Sequence, residues 1–160
     1  MFKTLTAAVA ALALTATPAL AQTNAAFVGP RVEATVSFPD VADSDNAEFG
    51  VGAGYDFALS DRVTFGLDAD VTRPFSDTRV VGAGARLGAA LNEDAQAFAR
   101  VGYERADFNN SNLNLEGLAI GGGLQFRLTD HAYATTEYRY TDFDHGVGAH
   151  GLRAGLGFRF

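Results

Sequence analysis

Arginine and acidic side chains recur two positions apart in this sequence, and that spacing is the first indication of chemistry. Examples are the pairs Arg31/Glu33, Asp68/Asp70 and Glu137/Arg139. Side chains two residues apart in an extended strand lie on the same face. The planar arginine head binds a carboxylate through two parallel hydrogen bonds. The spacing therefore predicts charged pairs gathered on one face of several strands.

Histidine and serine would indicate nucleophilic catalysis, which needs a serine, a histidine base and an acidic group within reach. His131, His145 and His150 fall in predicted turns and loops, and no His-x-Ser pair lies on a predicted strand. Asp142 and Asp144, close to the last two histidines, do not complete the spacing of a recognised metal site. We therefore expect no catalytic residue, no cofactor and no metal.

A glycine-containing phrase occurs four times, as VGAGYDF from Val51, VGAGARL from Val81, IGGGLQF from Ile120 and AGLGFRF from Ala154. A dinucleotide-binding turn needs one G-x-G-x-x-G phrase between a strand and a helix. Here each phrase continues as alternating apolar and polar residues. The repetition therefore predicts a series of antiparallel hairpins and not a nucleotide site.

Apolar and polar residues alternate with a period of two from Phe27 onward, which predicts strands. Tight connections at 60–62, 92–94 and 129–131 alternate with polar connections that are longer, apart from the short 76–77. Pro30 has no N–H for pairing, so the first strand is expected to pair only from about Arg31. The eight predicted strands span about 27–38, 47–59, 63–75, 78–91, 95–108, 115–128, 132–143 and 151–160.

The alternation separates a large apolar face from a face of glycine, threonine and charged residues. In the last strand, Leu156 and Phe158 alternate with Gly157 and Arg159. A water-soluble barrel would bury its apolar face and carry lysine and glutamate outside, but Lys3 is the only lysine. The pattern instead predicts apolar side chains toward lipid around a narrow charged lumen. We predict an all-β fold, an eight-stranded antiparallel up-and-down transmembrane β-barrel.

The N-terminus has the pattern of an export signal, in which Lys3 precedes an apolar run that ends in Ala19-Leu20-Ala21. We expect a signal peptide at 1–21 and a barrel domain at 22–160. The formal net charge of −7 argues against nucleic acid as a partner. The sequence contains no cysteine, which excludes a disulfide scaffold. Export without disulfides fits a bacterial envelope.

The segment RLTDHAYATTEYRYTDF, at 127–143, is followed by a glycine-rich strand that ends in Phe160. This arrangement resembles the small outer-membrane β-barrel family of opacity-type and OmpA-type proteins, often labelled the porin family. The resemblance implies an outer-membrane location and assembly by the insertion machinery, which recognises an aromatic C-terminus. Leu156, Phe158 and Phe160 match that assembly signal. OmpA carries a peptidoglycan-binding domain after its barrel, and no such domain is expected here.

The inward charged residues predict what fills the lumen. Buried charges must pair, and eight strands leave a lumen that side chains fill. The sequence therefore predicts a plug of Arg–Asp/Glu pairs, and a charged constriction in an open pore is the alternative. Counting along the strands places six of these residues near mid-height: Glu33, Asp68, Arg86, Arg100, Glu137 and Arg139.

Three outward arginines, Arg73, Arg79 and Arg105, lie near the predicted external ends of neighbouring strands. Lipid A phosphates lie at that height, and arginine binds phosphate well. We expect these side chains to contact lipopolysaccharide. The alternative is that they only extend toward water.

Together these features predict a monomeric, non-enzymatic surface or structural protein of a Gram-negative outer membrane. Its expected partners are outer-membrane lipid, lipopolysaccharide and, during assembly, the insertion machinery. A low-conductance porin for small solutes is the first alternative. A lipid-A-modifying outer-membrane enzyme is the second, from a different functional class.

Overall fold

The computed structural model describes residues 25–40, 47–74, 78–108, 114–144 and 147–160. The signal peptide expected at 1–21 and His145 lie outside these residues. A short 3-10 helix, Ala25–Phe27, precedes eight strands. The strands are β1 Gly29–Asp40, β2 Glu48–Ala58, β3 Val63–Pro74, β4 Thr78–Ala90, β5 Ala95–Phe108, β6 Asn114–Arg127, β7 Ala132–Phe143 and β8 Val147–Arg159.

Each strand pairs antiparallel with the next, and β8 pairs with β1 to close the barrel. This closed up-and-down order confirms the predicted fold class. We call the end that carries the connections 59–62, 91–94 and 128–131 the turn end, and the opposite end the loop end. Among the described residues, no helix is long and apolar enough to cross a membrane.

The alternation of side chains places apolar residues outside and polar residues inside. On β8, Leu156 is 64% exposed on the outer surface, whereas the inward Arg159 is buried. Inside, Asp56, Gln96 and Gln125 are fully buried. A water-soluble protein has the opposite distribution, with apolar groups enclosed and charges outside. The apolar exterior therefore has the character of a surface that faces lipid.

The last strand begins earlier than the sequence predicted, at Val147 and not at residue 151. Its added residues pair with β7 up to Phe143, so only 144–146 connect the two strands. The sequence predicts a loop at His150, whereas the structure places His150 on β8. A Cβ placed on Gly148 would lie 3.0 Å from the Tyr140 hydroxyl, so this glycine gives room to the tyrosine of the neighbouring strand.

The first strand also differs at its start, because the predicted first residue, Phe27, ends the 3-10 helix and β1 begins at Gly29. On the β8 side, pairing starts at Arg31, as expected, but on the β2 side it already includes Gly29. The Pro30 carbonyl accepts a hydrogen bond from the Phe160 N–H at 3.1 Å. The N–H that Pro30 lacks would face this same last residue, so the barrel loses a single bond at its end.

Candidate functional site

The lumen takes its shape from glycines on the inner face. On β2, Gly50, Gly52 and Gly54 face inward before Asp56. A Cβ on Gly54 would lie 3.0 Å from the Arg31 Nη2 atom. The repeated glycine phrases therefore leave space for arginine heads inside a narrow barrel, which larger side chains would occupy.

Three arginines converge on Asp56 near the turn end. Arg86 binds it twice, from Nε to Oδ1 at 2.8 Å and from Nη2 to Oδ2 at 2.6 Å. Arg31 Nε lies 3.1 Å and Arg159 Nη1 lies 3.0 Å from Oδ2 of the same carboxylate. We call these four residues the Asp56 cluster. It connects β2 with β1, β4 and β8 across the lumen.

Asp68 links this cluster to the charged residues Arg100 and Asp70, which lie further toward the loop end. Its Oδ2 accepts a hydrogen bond from Arg31 Nη2 at 3.2 Å, and its Oδ1 lies 2.7 Å from Arg100 Nη2. Arg100 Nη2 also lies 3.2 Å from Asp70 Oδ1. The ion pairs therefore continue without interruption from Asp56 through Asp68 to Asp70.

A second cluster surrounds Asp70 toward the loop end, and we call it the Asp70 cluster. Arg139 Nη1 lies 3.4 Å and Arg153 Nη1 lies 3.2 Å from the Asp70 carboxylate. Arg139 also donates to Glu104 at 2.7 Å and to Glu137 at 2.9 Å. The full cluster contains Asp70, Glu104, Glu137, Arg100, Arg139 and Arg153.

The structure places all six residues that were counted to mid-height inside the lumen, where they line one cavity. Asp68 meets Arg100, and Glu137 meets Arg139. Glu33 borders the same central cavity as the other five residues.

Arg86 borders the central cavity and also belongs to the Asp56 cluster. In the hydrogen-bonded register, Asp56 and Arg86 both pair with Gly66. Such rows of paired residues climb along the barrel because its strands are tilted and staggered. Counting residues from the strand ends does not include this stagger, so it does not identify Asp56 as the partner of Arg86.

Aromatic rings fill the part of the lumen nearest the turn end. Phe98 lies 5.2 Å from the Arg86 guanidinium carbon, and Tyr133 lies 5.6 Å from that of Arg159, which are cation–π distances. Phe27 is 1% exposed. Inward parity on β5 and β7 indicates the first two rings, and Phe27 has the parity of Arg31 and Glu33 in the predicted first strand.

Between the clusters lies a cavity of about 30 Å³, bordered among others by Glu33, Asp68, Arg86, Phe98 and Glu137. A space of this size holds about two water molecules. This cavity therefore has no room for a solute larger than a few water molecules.

The outward arginines Arg73, Arg79 and Arg105 are all exposed. Arg79 lies beside Asp107 in the β4–β5 register, two residues from Arg105. Arg105 forms ion pairs with Asp107 at 2.9 Å and with Glu116 at 3.3 Å. One of the three arginines is thus already held by carboxylates on its own surface.

The histidines of the described chain lie at opposite ends of the barrel. His131 is in a connection at the turn end, where its Nδ1 lies 3.1 Å from the Arg159 carbonyl oxygen. His150 is on β8 toward the loop end, with its ring 6.1 Å from that of Tyr138. Within the described ranges, no three His, Asp or Glu side chains are grouped so as to hold a metal ion.

Residues 7–160 match the family described as "Outer membrane protein beta-barrel domain". The chain belongs to this family. This outer-membrane barrel protein therefore resides in the bacterial outer membrane, as the sequence predicted, and its apolar exterior faces lipid.

One relative of this outer-membrane barrel protein is the "25 kDa outer-membrane immunogenic protein" of Brucella ovis. The two are 26% identical over 110 residues, which cover 69% of this chain and 45% of the relative. The chain thus spans a little less than half of the relative's length.

Solved structures share the fold at lower identity. The N-terminal β-barrel domain of Pseudomonas aeruginosa OprF has a TM-score of 0.63 and 18% identity, covering 82% of this chain and 96% of that one. Ail, the attachment invasion locus protein of Yersinia pestis, has a TM-score of 0.60 and 18% identity, with the same coverage. The outer membrane enzyme PagL has a TM-score of 0.56 and 15% identity, covering 81% of this chain and 99% of that one.

Proposed function

We propose that this barrel has a non-enzymatic structural or surface role and that its ion pairs close the lumen. The observation that carries the proposal is the uninterrupted chain of contacts from Asp56 through Asp68 to Asp70. A pore needs a continuous water path, and these pairs cross the space through which water would pass. The cavity left beside them is too small to conduct a solute.

The same contacts support a bracing role. Asp56 on β2 binds arginines from β1, β4 and β8, and Asp70 on β3 binds arginines from β5, β7 and β8. Each carboxylate therefore holds strands from several sides of the wall. Because the sheet is closed and has no free edge, we further propose that the protein acts as a monomer.

A planar-bilayer recording tests the closed lumen against the low-conductance porin. Wild-type protein is expected to give no steady current, because the proposed plug of ion pairs leaves no continuous water path. Arg86→Ala removes one cross-lumen contact and is expected to admit ions. Steady single-channel currents from the wild type that Arg86→Ala leaves unchanged would make the porin the better proposal.

The lipid-A-modifying enzyme is the remaining alternative, because the structural neighbour PagL is an enzyme. The positions of His131 and His150 at opposite ends argue against a shared catalytic site that contains both. Mass spectra of lipid A from cells with and without the protein are expected to be identical. A modified lipid A that disappears with His131→Ala or His150→Ala would overturn the non-enzymatic proposal.

We also propose that the outward arginines contact the phosphates of lipopolysaccharide. Arg73 and Arg79 are the main candidates, because Arg105 is already engaged by Asp107 and Glu116. The triple variant Arg73→Ala/Arg79→Ala/Arg105→Ala is expected to copurify with less lipopolysaccharide than the parent. Arg62→Ala, at an exposed position of the turn end, is the control. Equal amounts in parent and triple variant would contradict the proposed contact.

A further inference from the structure

The two ends of the lumen differ in how far water reaches the charged groups. Near the turn end, the side chains of Asp56, Arg86 and Arg159 are 0%, 3% and 5% exposed. Toward the loop end, those of Asp70 and Arg153 are each 11% exposed. Both groups carry buried charges, so charge pairing alone does not account for the difference. An additional element lies at the turn end.

That element is the segment before β1. Phe27, the last residue of the 3-10 helix Ala25–Phe27, is 1% exposed. Two residues later, Gly29 has a φ of 113°, a left-handed conformation that L side chains rarely adopt. A Cβ at this position would also lie 3.0 Å from the Phe160 carbonyl oxygen. This glycine therefore permits the turn that joins the buried phenylalanine to the wall of the barrel.

Arg159 holds the segment from inside the lumen. Its Nη1 donates to the Phe27 carbonyl at 2.8 Å, lies 3.4 Å from the Gly29 carbonyl and lies 3.0 Å from Asp56 Oδ2. Its guanidinium also lies 5.6 Å from the Tyr133 ring. One buried arginine, Arg159, therefore attaches the segment before β1 to the Asp56 cluster. The same guanidinium that pairs with Asp56 also holds the Phe27 carbonyl.

We propose that residues 25–29 form a plug that closes the periplasmic mouth of the barrel. The Phe27 side chain fills the mouth, and Arg159 holds the plug in place by its hydrogen bond to the Phe27 carbonyl. Short turns of outer-membrane barrels face the periplasm, so the turn end is the periplasmic end. The lumen is then closed at its periplasmic end, and water enters it only from outside the cell. This inference rests on the closed lumen of the proposed function, but it assigns the periplasmic seal to one segment.

Thiol labelling tests the plug, because the chain has no cysteine of its own. Thr64→Cys places a single thiol at a fully buried inward position beside the 59–62 turn. A charged, membrane-impermeant methanethiosulfonate reagent is applied to barrels refolded in detergent micelles. Phe27→Ala is expected to raise the labelling rate about tenfold or more, because reagent access to the thiol is then no longer limited by local opening of the plug. Phe57→Ala, an exposed outward position near the same end, is the matched control and should leave the rate unchanged.

A second thiol separates an opened mouth from a loosened barrel. Thr141→Cys lies toward the loop end, where Thr141 is 3% exposed and donates to Glu104. Its labelling rate is expected to be the same whether Phe27 is kept or replaced in the Phe27→Ala variant. Equal acceleration of both thiols by Phe27→Ala would overturn the plug, since Phe27 would then only support general packing.

The remaining outcomes distinguish the plug from the closed lumen. Slow labelling of Thr64→Cys that Phe27→Ala does not change overturns the plug and leaves the closed lumen intact. Rapid labelling of Thr64→Cys with Phe27 in place contradicts both. If Phe27→Ala accelerates labelling of Thr64→Cys but not of Thr141→Cys, the result supports both the plug and the closed lumen.

Discussion

Asp56 and Arg86 lie on opposite sides of β3 and meet directly over Gly66, which pairs with both of them. A Cβ at Gly66 would lie 3.0 Å from the Arg86 Cγ atom and would collide with the Asp56 carboxylate. The absence of a side chain on the middle strand therefore allows a two-bond ion pair between strands that are not neighbours. Arg86 extends the connection to β6 by donating to Gln125 Oε1 at 2.9 Å.

Arg86→Ala is expected to destabilise the barrel by about 3–5 kcal/mol, because it leaves buried Asp56 with less compensation. Denaturant unfolding of the protein in lipid vesicles measures this loss. Arg62→Ala removes an exposed arginine at the turn end and should change the free energy of unfolding by less than about 0.5 kcal/mol. Similar losses for both variants would show that the Asp56 cluster does not stabilise the fold.

Leu156→Arg is expected to lower stability by about 2–4 kcal/mol, because Leu156 faces lipid and pairs with Ala34, near the middle of β1. Leu128→Arg is the matched control, since Leu128 is 58% exposed but lies at the turn end, where arginine reaches water. Its cost should be about 0–1 kcal/mol. Folding and unfolding titrations in liposomes compare the two. A Leu156→Arg protein as stable as the wild type would mean that the facing of β8 is wrong.

Gly157→Ala is expected to destabilise the barrel by about 1–3 kcal/mol through overpacking. Gly157 pairs with Tyr133, and an added Cβ would collide with the tyrosine ring. Gly122→Ala is the control, because its Cβ would meet only the Phe98 carbonyl at an ordinary 3.5 Å. A double-mutant cycle with Tyr133→Ala should show coupling, since removing the ring removes the collision. If the stability losses of Gly157→Ala and Tyr133→Ala are additive, the loss in Gly157→Ala does not come from a collision with the Tyr133 ring.

Removal of Phe160 is expected to slow insertion in cells more than it lowers the stability of refolded barrel. The side chain is 72% exposed, and its backbone contributes one hydrogen bond, to Pro30. The deletion therefore removes little packing, whereas the assembly signal loses its terminal aromatic. Pulse-chase assembly and denaturant unfolding measure the two effects, with Phe126→Ala as the control for an exposed phenylalanine. Equal fractional losses in both assays would argue against a signalling role.

The fold could be predicted from the sequence because the environment imposes a strict period of two on each strand. Leu156 and Gly157 illustrate this rule, since one faces lipid and the next faces a lumen too narrow for most side chains. Strand ends were harder to predict where a glycine leaves space for a large side chain on the neighbouring strand. Gly148 resembled a loop residue because the Tyr140 ring that lies against it is on another strand.

The candidate site was predictable in its composition but not in its connections. Inward parity identified the charged residues, whereas the stagger between strands decides which of them meet, as the Asp56–Arg86 contact shows. Phe27 has the inward parity of Arg31, but the hydrogen bond from Arg159 to its carbonyl was not predictable, because Arg159 is 132 residues away in the chain. Contacts of this range carry no local sequence signal.

The convergence of strands from both ends of the chain on Asp56 has a consequence for folding cooperativity. Its arginines come from β1, β4 and β8, so its charge is fully compensated only after the first and last strands have joined. A partly assembled sheet in the bilayer would carry an uncompensated carboxylate, which is costly in a low-dielectric environment. Isolated hairpins are thus disfavoured, and loss of one terminal strand weakens the opposite wall as well. The barrel should therefore unfold in a single all-or-none transition.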